Sequence, residues 1–174
     1  MTKSEIRLMM LERRNTSTKE ELNKKNQSII DQILKDERFI CAKTVAIYYP
    51  MGNEVNLLAL LKNKKNFAFP KVEKDGIHFY LYQDQTIFSR SKFGVMEPEQ
   101  GELIDHQIDY MLVPALAISK SHYRVGFGKG YYDQFLAKHR PASVFGVIYD
   151  FQEVESFPVD DHDQKLDGYV KGSL

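Results

Sequence analysis

Residues 123–133 read Tyr123-Arg124-Val125-Gly126-Phe127-Gly128-Lys129-Gly130-Tyr131-Tyr132-Asp133, and the rest of the chain is interpreted outward from this segment. It follows an apolar run at residues 110–118 and precedes a helical pattern. Three glycines at alternate positions let the backbone adopt positive φ and aim several N–H groups at one point. A helix that starts here adds the positive end of its dipole, and two basic side chains add permanent charge. The segment therefore favours a phosphate-binding loop.

Glycines alone give weak support for such a loop, because tight turns need glycine for steric reasons. The spacing matches neither G-x-x-x-x-G-K-[ST] nor G-x-G-x-x-G, so neither a P-loop nor a dinucleotide fold is indicated. The basic, aromatic and acidic side chains in the same window shift the interpretation toward a nucleotide site. A bare phosphate would repel Asp133, whereas a phosphate-bound Mg²⁺ ion would attract it.

The chain has 174 residues, which is long enough for one domain with a substantial core. Lys plus Arg and Asp plus Glu both number 24, so no global field attracts nucleic acid or an acidic membrane surface. The one cysteine, Cys41, excludes an internal disulfide and fits a reducing compartment, and we expect it to be a small buried side chain. No segment has the pattern of a signal peptide or a membrane span. We expect a cytoplasmic monomer whose residues 1–174 form a single domain.

Apolar periodicity gives a coarse secondary structure. Helical spacing occupies residues 4–15, and a capping-box pattern at residues 17–20 opens a second helix. Strands are expected at residues 44–49, 67–69, 110–115 and 143–149, with Pro70 ending the second of them. Gly76 then separates this strand from residues 77–82, which predicts a hairpin or an added edge strand. Residues 57–61 have a helical pattern, and residues 89–102 form a long connection without a period.

The alternation of strands with helices predicts an α/β fold in a single domain. We expect a mostly parallel sheet with helices on both faces, in a Rossmann-like three-layer arrangement. Ligands bind such sheets at the carboxyl ends of the strands. Glu54 follows the first strand, the glycine segment follows the third and Asp150 follows the fourth, so all three are expected at one edge.

Other polar and aromatic side chains admit two interpretations each. Lys3 and Arg7 are four residues apart on one helical face, which by itself predicts a solvated basic surface. Glu54 fits a carboxylate at the start of a helix. Phe93 fits a core residue as well as a ligand wall. The acidic segment at residues 160–167 suits Mg²⁺ better than zinc, since it contains one His and no Cys.

The glycine segment resembles the signature of the 5-formyltetrahydrofolate cyclo-ligase (5,10-methenyltetrahydrofolate synthetase) family. The matching residues are Arg124-x-Gly126-x-Gly128-Lys129-Gly130-Tyr131-Tyr132-Asp133, preceded by Val113-Pro114-Ala115-Leu116-Ala117. The resemblance extends along nearly the whole chain and includes Lys3, Arg7 and residues 49–54, 93–98 and 163–167. Ala115 stands where the family usually has Gly, and His122 occupies a turn where Gly is common. Neither departure removes a charged or phosphate-facing group, so both bear on turn geometry.

The resemblance implies a role for each candidate site residue. ATP would be bound by Lys3, Arg7, Arg124, Gly126, Gly128, Lys129, Gly130, Tyr131 and Tyr132, of which Arg124 and Lys129 would also be catalytic. The formyl-folate would be bound by Tyr49, Met51, Glu54, Phe93 and Tyr131. A magnesium ion would be held by Asp133 and Asp163, directly or through water.

The resemblance also implies a reaction, the ATP- and Mg²⁺-dependent cyclisation of 5-formyltetrahydrofolate to 5,10-methenyltetrahydrofolate with release of ADP and phosphate. The sequence offers no convincing Ser-His-Asp or Cys-His set, in agreement with phosphoryl transfer, which needs positioning and charge neutralisation. Two other functions stay open. One is an enzyme of sugar phosphates or coenzyme A that uses the same loop without consuming ATP. The other is a non-catalytic sensor of a nucleotide or metabolite.

Overall fold

The computed structural model describes residues 1–174. Its α-helices are α1 (Lys3–Thr16), α2 (Lys19–Lys35), α3 (Glu37–Cys41) and α4 (Tyr131–Lys138). Its strands are β1 (Thr44–Ala46), β2 (Asn66–Glu73), β3 (Gly76–Leu81), β4 (Phe88–Arg90), β5 (Met96–Pro98), β6 (Tyr110–Pro114), β7 (Ala117–Ser119), β8 (Arg124–Val125), β9 (Ser143–Tyr149), β10 (Glu153–Val154) and β11 (Gly168–Gly172). Short 3₁₀ helices occupy Leu58–Lys62 and Asp150–Gln152. None of the helices combines the length and the apolar character that a bilayer crossing requires.

A six-stranded sheet in the order β11-β9-β6-β1-β2-β3 forms the centre of the protein. All neighbouring strands are parallel except β2 and β3, which form an antiparallel hairpin at the edge. Alternate side chains of β6 enter different cores: Leu112 packs in the cluster that contains α2, and Met111 packs in the cluster that contains α4. Helices therefore cover both faces of the sheet, and the predicted three-layer α/β fold is confirmed.

A second, three-stranded sheet in the order β10-β7-β8 was not predicted. Its strands have two or three residues each, too few to show a period of two in the sequence. Helix α1 packs on it through Ile6 and Met10, which share a buried cluster with Leu116 and Val125. This packing places the beginning of α1 beside the glycine segment, which follows β8.

The strand boundaries differ from the prediction at Pro70, which does not end its strand. Strand β2 continues to Glu73 and pairs with β3 along its length. Strand β1 pairs only with Asn66, Phe67 and Ala68, so at Pro70 the strand has a hydrogen-bonded neighbour on one side alone. A proline needs no ladder hydrogen bond on its free side, which explains why it is tolerated there.

Smaller differences concern caps and short elements. The N-cap of α2 is Thr18, which accepts from the Glu21 N–H at 3.2 Å, so the predicted box is displaced by one residue. The helical pattern at residues 57–61 corresponds to the 3₁₀ helix Leu58–Lys62, and residues 89–102 contain the second strand of the β4–β5 hairpin. Strand β11 was not predicted at all. Cys41 is exposed, because the short helix α3 buries Phe39 in its place.

Candidate active site

A cavity of about 540 Å³ lies where the carboxyl ends of the central strands meet α1 and the glycine segment. It is lined by every site residue that was predicted from the sequence: Lys3, Arg7, Tyr49, Met51, Glu54, Phe93, Arg124, Gly126, Gly128, Lys129, Gly130, Tyr131, Tyr132, Asp133 and Asp163. Of the three groups expected at this edge of the sheet, Asp150 is the one that does not line the cavity. The chain turns into a 3₁₀ helix at Asp150, whose carboxylate pairs with Lys25 of α2 at 2.7 Å.

Gly126 leaves space for one arginine, and Gly128 lies beside a second. A Cβ atom on Gly126 would collide with the guanidinium of Arg124, and one on Gly128 would lie 3.4 Å from Nη2 of Arg7. Gly128 and Gly130 also have positive φ, 95° and 73°, where a side chain would be strained. Gly130 is the N-cap of α4 and offers no side-chain cap, so the first N–H groups of the helix remain free for an anion.

The two arginines are held by the backbone. Nε of Arg7 donates to the carbonyl of Gly126 at 2.7 Å, and Nε of Arg124 donates to the carbonyl of Pro114 at 3.0 Å. The guanidinium of Arg124 also lies 5.2 Å from the ring centre of Tyr132. Burial lowers the pKa of Arg124, which nevertheless stays charged because arginine starts from so high a value. These Nε bonds leave the terminal nitrogens of both side chains available to a ligand.

Two loops meet at the mouth of the cavity. Nζ of Lys129 lies 5.3 Å from the ring centre of Phe93, and Nζ of Lys92 lies 5.2 Å from the same centre. The side chain of Phe93 is 45% exposed, so it is a wall residue and not a core residue. Lys129 takes part in no hydrogen bond or ion pair, which leaves its ammonium free to meet a phosphate.

Glu54 closes a turn and does not cap a helix, so that interpretation of the carboxylate is wrong. Its Oε1 accepts from the Met51 N–H at 2.8 Å, and its own N–H donates to the Met51 carbonyl at 3.2 Å. The next helical residue is Leu58. Burial raises the pKa of Glu54, and the Met51 N–H and the charges of Arg14 and Arg124 partly oppose that rise. Beside it, the ring of Tyr49 packs 5.2 Å from that of Phe88.

The two aspartates predicted to share a metal lie in one region. Oδ1 of Asp133 accepts from the Gln164 N–H at 3.1 Å, which joins the first turn of α4 to the acidic segment. Oδ2 of Asp163 accepts from Nζ of Lys3 at 2.5 Å and from the Asp160 N–H at 2.8 Å. Burial, the largest single influence, opposes the ionisation of Asp163, but the hydrogen bonds from Lys3 and the Asp160 N–H and the charge of Lys3 together lower the pKa of this carboxyl.

The donor set around these aspartates fits a magnesium ion. Each keeps one oxygen, Oδ2 of Asp133 and Oδ1 of Asp163, that accepts no protein hydrogen bond. Oxygen ligands in small number are what Mg²⁺ takes from proteins. A tighter group consists of Asp160, His162 and Asp163, whose ligand atoms all lie within 4.8 Å of one another. Asp133 is outside this group, so a shared ion would reach it at longer range or through water.

Sequence reasoning missed several residues of the cavity. Phe127 and Glu97 both line it. Phe127 is 49% exposed in the glycine segment, and Oε2 of Glu97 accepts from the Val72 N–H at 2.8 Å. Phe127 lies within the glycine segment and Glu97 within residues 93–98, so their positions in these matching segments could have identified both as cavity residues. Nothing in the sequence marked Arg14, which is 5% exposed and acts on Glu54 from outside the cavity lining.

A mostly parallel α/β sheet with a cavity at the carboxyl ends of its strands, beside a cationic glycine loop, is typical of an enzyme that binds an anionic ligand. Comparison with known proteins gives the family. The family model of the 5-formyltetrahydrofolate cyclo-ligases matches residues 1–171. The chain belongs to the 5-formyltetrahydrofolate cyclo-ligase family, as the signature predicted.

Relatives and solved structures agree with this assignment over nearly the full chain. The 5-formyltetrahydrofolate cyclo-ligase of Mycoplasma pneumoniae is 33% identical over 177 residues, covering 96% of this chain and 96% of its own. The structure of Aquifex aeolicus 5,10-methenyltetrahydrofolate synthetase superposes with a TM-score of 0.87 at 34% identity, covering 98% of this chain and 90% of its own. The structure of the Mycoplasma pneumoniae synthetase superposes with a TM-score of 0.73 at 29% identity, covering 98% of each chain.

Proposed function

We propose that the chain carries out the reaction of its family in the cavity described above. The reaction is the ATP-dependent cyclisation of 5-formyltetrahydrofolate to 5,10-methenyltetrahydrofolate, with release of ADP and phosphate. One observation carries the proposal: a single cavity of about 540 Å³ joins a cationic glycine loop to a recess lined by Tyr49 and Glu54. The first part suits a triphosphate, and the second suits a flat ring with N–H donors.

The chemistry explains why ATP is consumed. The formyl carbon is a poor electrophile, and its oxygen is a poor leaving group. Attack of the formyl oxygen on the γ-phosphorus breaks the bond to ADP and gives an iminium phosphate. The folate N10 then attacks the formyl carbon and loses its proton, and phosphate departs with the electron pair of the C–O bond. The protein has to position the two substrates and neutralise charge, and it needs no nucleophile of its own.

On the phosphate side, we assign Lys129 to the γ-phosphate because its ammonium takes part in no hydrogen bond or ion pair and lies only near the ring of Phe93. Arg124 and Arg7, which the backbone already orients, bind the neighbouring oxygens. Lys3 is a further cation of the cavity lining and is paired with Asp160 and Asp163 in the free protein. The N–H groups of the glycine loop and of the first turn of α4 complete the anion site. Tyr131 and Tyr132, in the first turn of α4, line the cavity beside the loop and are assigned to the ATP site with it.

On the folate side, we assign Glu54 to the pterin ring, which presents N–H donors that a carboxylate oxygen can accept. Met51 uses only Oε1 of Glu54, so Oε2 remains for the substrate. Tyr49 and Met51 provide the wall of this recess. Phe93 and Tyr131 offer flat surfaces between the two substrates, where an aromatic ring of the folate can stack.

We assign Asp133 and Asp163 to a magnesium ion. Such an ion, when bound with ATP, neutralises the charge of the terminal phosphates and so removes the repulsion between them and the two carboxylates. The hydrogen bond from Gln164 to Asp133 and the free oxygen on each aspartate support this assignment. Lys3 already neutralises Asp163 in the free protein, and the ion pair raises the pKa of Lys3 although burial lowers it.

A spectrophotometric assay for the methenyl product tests the reaction. Purified protein is given 5-formyltetrahydrofolate and Mg²⁺ with ATP, without ATP, or with a non-hydrolysable ATP analogue. We expect product only with ATP, and one ADP for each product molecule. Substrate turnover without ADP formation would indicate an enzyme that uses the anion loop in another way. Binding of both ligands without any turnover would indicate a sensor.

We further propose that residues 1–174 act as one domain and as a monomer on these small molecules in the cytoplasm. No site on the chain is needed for a nucleic acid or a membrane in this scheme. Light scattering coupled to size-exclusion chromatography checks the monomer, for which we expect the mass of one chain with and without ATP. A mass of two chains would contradict it.

A further inference from the structure

Glu97 is a carboxylate of the cavity lining that has no part in the reaction as described so far. It lies in β5 and is 8% exposed, and its side chain belongs to the wall of the cavity. Oε2 accepts from the Val72 N–H at 2.8 Å. Oε1 accepts no protein hydrogen bond, and it is not enclosed by protein. One oxygen of a largely buried carboxylate is therefore left open to a ligand.

The bond to Val72 explains the position of this side chain but not its charge. Strand β1 pairs with β2 no further than Ala68, so the Val72 N–H has no strand neighbour on that side and needs another acceptor. A neutral side-chain oxygen would serve as well. The neighbouring wall contains Val72, Ile77 and Val95, which are apolar. A carboxylate among such side chains is costly, so a purely structural role for Glu97 would favour a glutamine.

The β4–β5 hairpin places Glu97 on the folate side of the cavity. Strand β5 pairs with β4, and the ring of Phe88 in β4 packs 5.2 Å from the ring of Tyr49, a wall residue of the folate recess. Phe93, in the turn of the same hairpin, also lines the cavity. The carboxylate thus belongs to the same element as the aromatic surface assigned to the ring that carries N10.

The proposed reaction releases a proton from N10, and few groups of the cavity can accept it. Phenols hold their protons at neutral pH, which excludes the tyrosines of the wall. Glu54 is assigned to the pterin, and the carboxylates of α4 and of residues 160–163 lie on the phosphate side. His162 is 76% exposed and belongs to that acidic segment. Glu97 is the remaining acceptor on the folate side.

We propose that Glu97 is a catalytic residue, the general base that takes the proton of N10 during cyclisation. This inference rests on the proposed function. The lone pair of N10 forms the bond to the formyl carbon, and the electron pair of the C=N5 bond moves to N5. The N10 proton passes to Oε1 of Glu97. Phosphate then leaves with the electron pair of the C–O bond, the lone pair of N5 restores the double bond, and Glu97 returns its proton to water.

The test is a rapid-quench experiment on Glu97→Gln with ATP, Mg²⁺ and 5-formyltetrahydrofolate, in which ADP and methenyl-folate are measured in the same samples. The glutamine still accepts from the Val72 N–H but cannot take a proton. We expect a burst of one ADP per protein molecule at the wild-type rate, followed by methenyl-folate formation at least ~10²-fold slower than in the wild type. Glu99→Gln is the matched control, because Glu99 is exposed in the same segment, and both of its rates should be unchanged.

Equal slowing of ADP and product in Glu97→Gln would overturn the inference, because a residue that only shapes the site affects both steps. A wild-type rate of product formation would also overturn it. Glu97→Asp serves if Glu97→Gln does not fold: its carboxylate is one bond shorter, so product should lag behind its own ADP burst by about tenfold. The absence of such a lag would contradict the role of Glu97. If the wild-type protein itself makes no methenyl-folate from ATP and formyl-folate, the proposed function is wrong and this inference falls with it.

Discussion

The two sides of the cavity are built on different principles. The side proposed to bind phosphate has permanent charges, Arg7, Arg124 and Lys129, beside a glycine-rich backbone. The side proposed to bind the folate has a titratable group, Glu54, whose burial raises its pKa. Permanent charges can be placed anywhere the chain can hold them, but a buried carboxylate needs an environment that keeps it ionised. Binding on the two sides should therefore respond differently to mutation and to pH.

Removal of Lys129 should have the largest effect. Lys129→Ala takes away a charge that acts on the anionic transition state, and we expect turnover to fall by at least ~10²-fold. The measurement is the steady-state rate of methenyl-folate formation. Lys92→Ala is the control, since Lys92 lies at the same distance from Phe93 but comes from the opposite loop. Equal rates in the two folded variants would make Lys129 an ordinary surface lysine.

Substitution of the two aspartates should change the Mg²⁺ dependence of the rate and leave the stability of the fold unchanged. Asp133→Asn and Asp163→Asn should each raise the Mg²⁺ concentration needed for half-maximal rate, by roughly tenfold. Since both would act on one ion, their combined effect should be less than the sum of the single effects in free energy. Magnesium titrations of the rate for the single and double variants provide the check. Strictly additive losses would refute a shared ion.

Gly126→Ala should weaken the phosphate side without touching a charge. Its Cβ would displace the guanidinium of Arg124, which is buried and bound to the Pro114 carbonyl. We expect nucleotide affinity to fall about tenfold, the scale for one misplaced charge-assisted hydrogen bond. Gly130→Ala is a useful comparison, because nothing lies near its Cβ but its φ is 73°. That variant should lose ~1 kcal/mol of stability. Unchanged nucleotide binding in Gly126→Ala would show that Arg124 does not contact the phosphates.

Glu54→Gln should have a small effect on stability, and its sign is informative. Because the folded pKa of Glu54 is raised above the unfolded value of 4.5, its favourable contribution exists at low pH and is lost as pH rises through the folded pKa. At pH 7.5 the neutral Gln, which still accepts from Met51, should therefore stabilise the protein by less than about 1 kcal/mol. At pH 4 the gain should disappear. The check is urea unfolding of the wild type and of Glu54→Gln at pH 4 and at pH 7.5. A variant that is less stable than the wild type at pH 7.5 would indicate that Glu54 mainly supports the turn.

The sequence predicted the parts of the molecule whose residues act locally or in unbroken runs. Strands β6 and β9 have continuous apolar character because both of their faces are covered, and the glycine segment carries its charges within a few residues. The predicted meeting of Asp133 with the acidic segment also holds, because consecutive parallel strands return the chain to one edge.

The remaining features depend on partners that are distant in the chain. Strand β11 has little apolar pattern in the sequence. It forms because it pairs in parallel with residues Phe145 to Tyr149 of β9. Pro70 stays in a strand because β1 is short, and Cys41 is exposed because Phe39 fills the core. Arg14 is inconspicuous in the sequence, since only the folded chain shows that it is buried.

The most direct test of the two-sided cavity is calorimetric titration of Lys129→Ala and of Glu54→Gln with one ligand at a time. The first ligand is a non-hydrolysable ATP analogue with Mg²⁺, and the second is 5-formyltetrahydrofolate. The account predicts a crossed result. Lys129→Ala should lose roughly tenfold in nucleotide affinity and keep formyl-folate binding, whereas Glu54→Gln should lose roughly tenfold in formyl-folate affinity and keep nucleotide binding. Loss of both ligands in both variants, or of the same ligand in both, would contradict the division of the cavity into a phosphate side and a folate side.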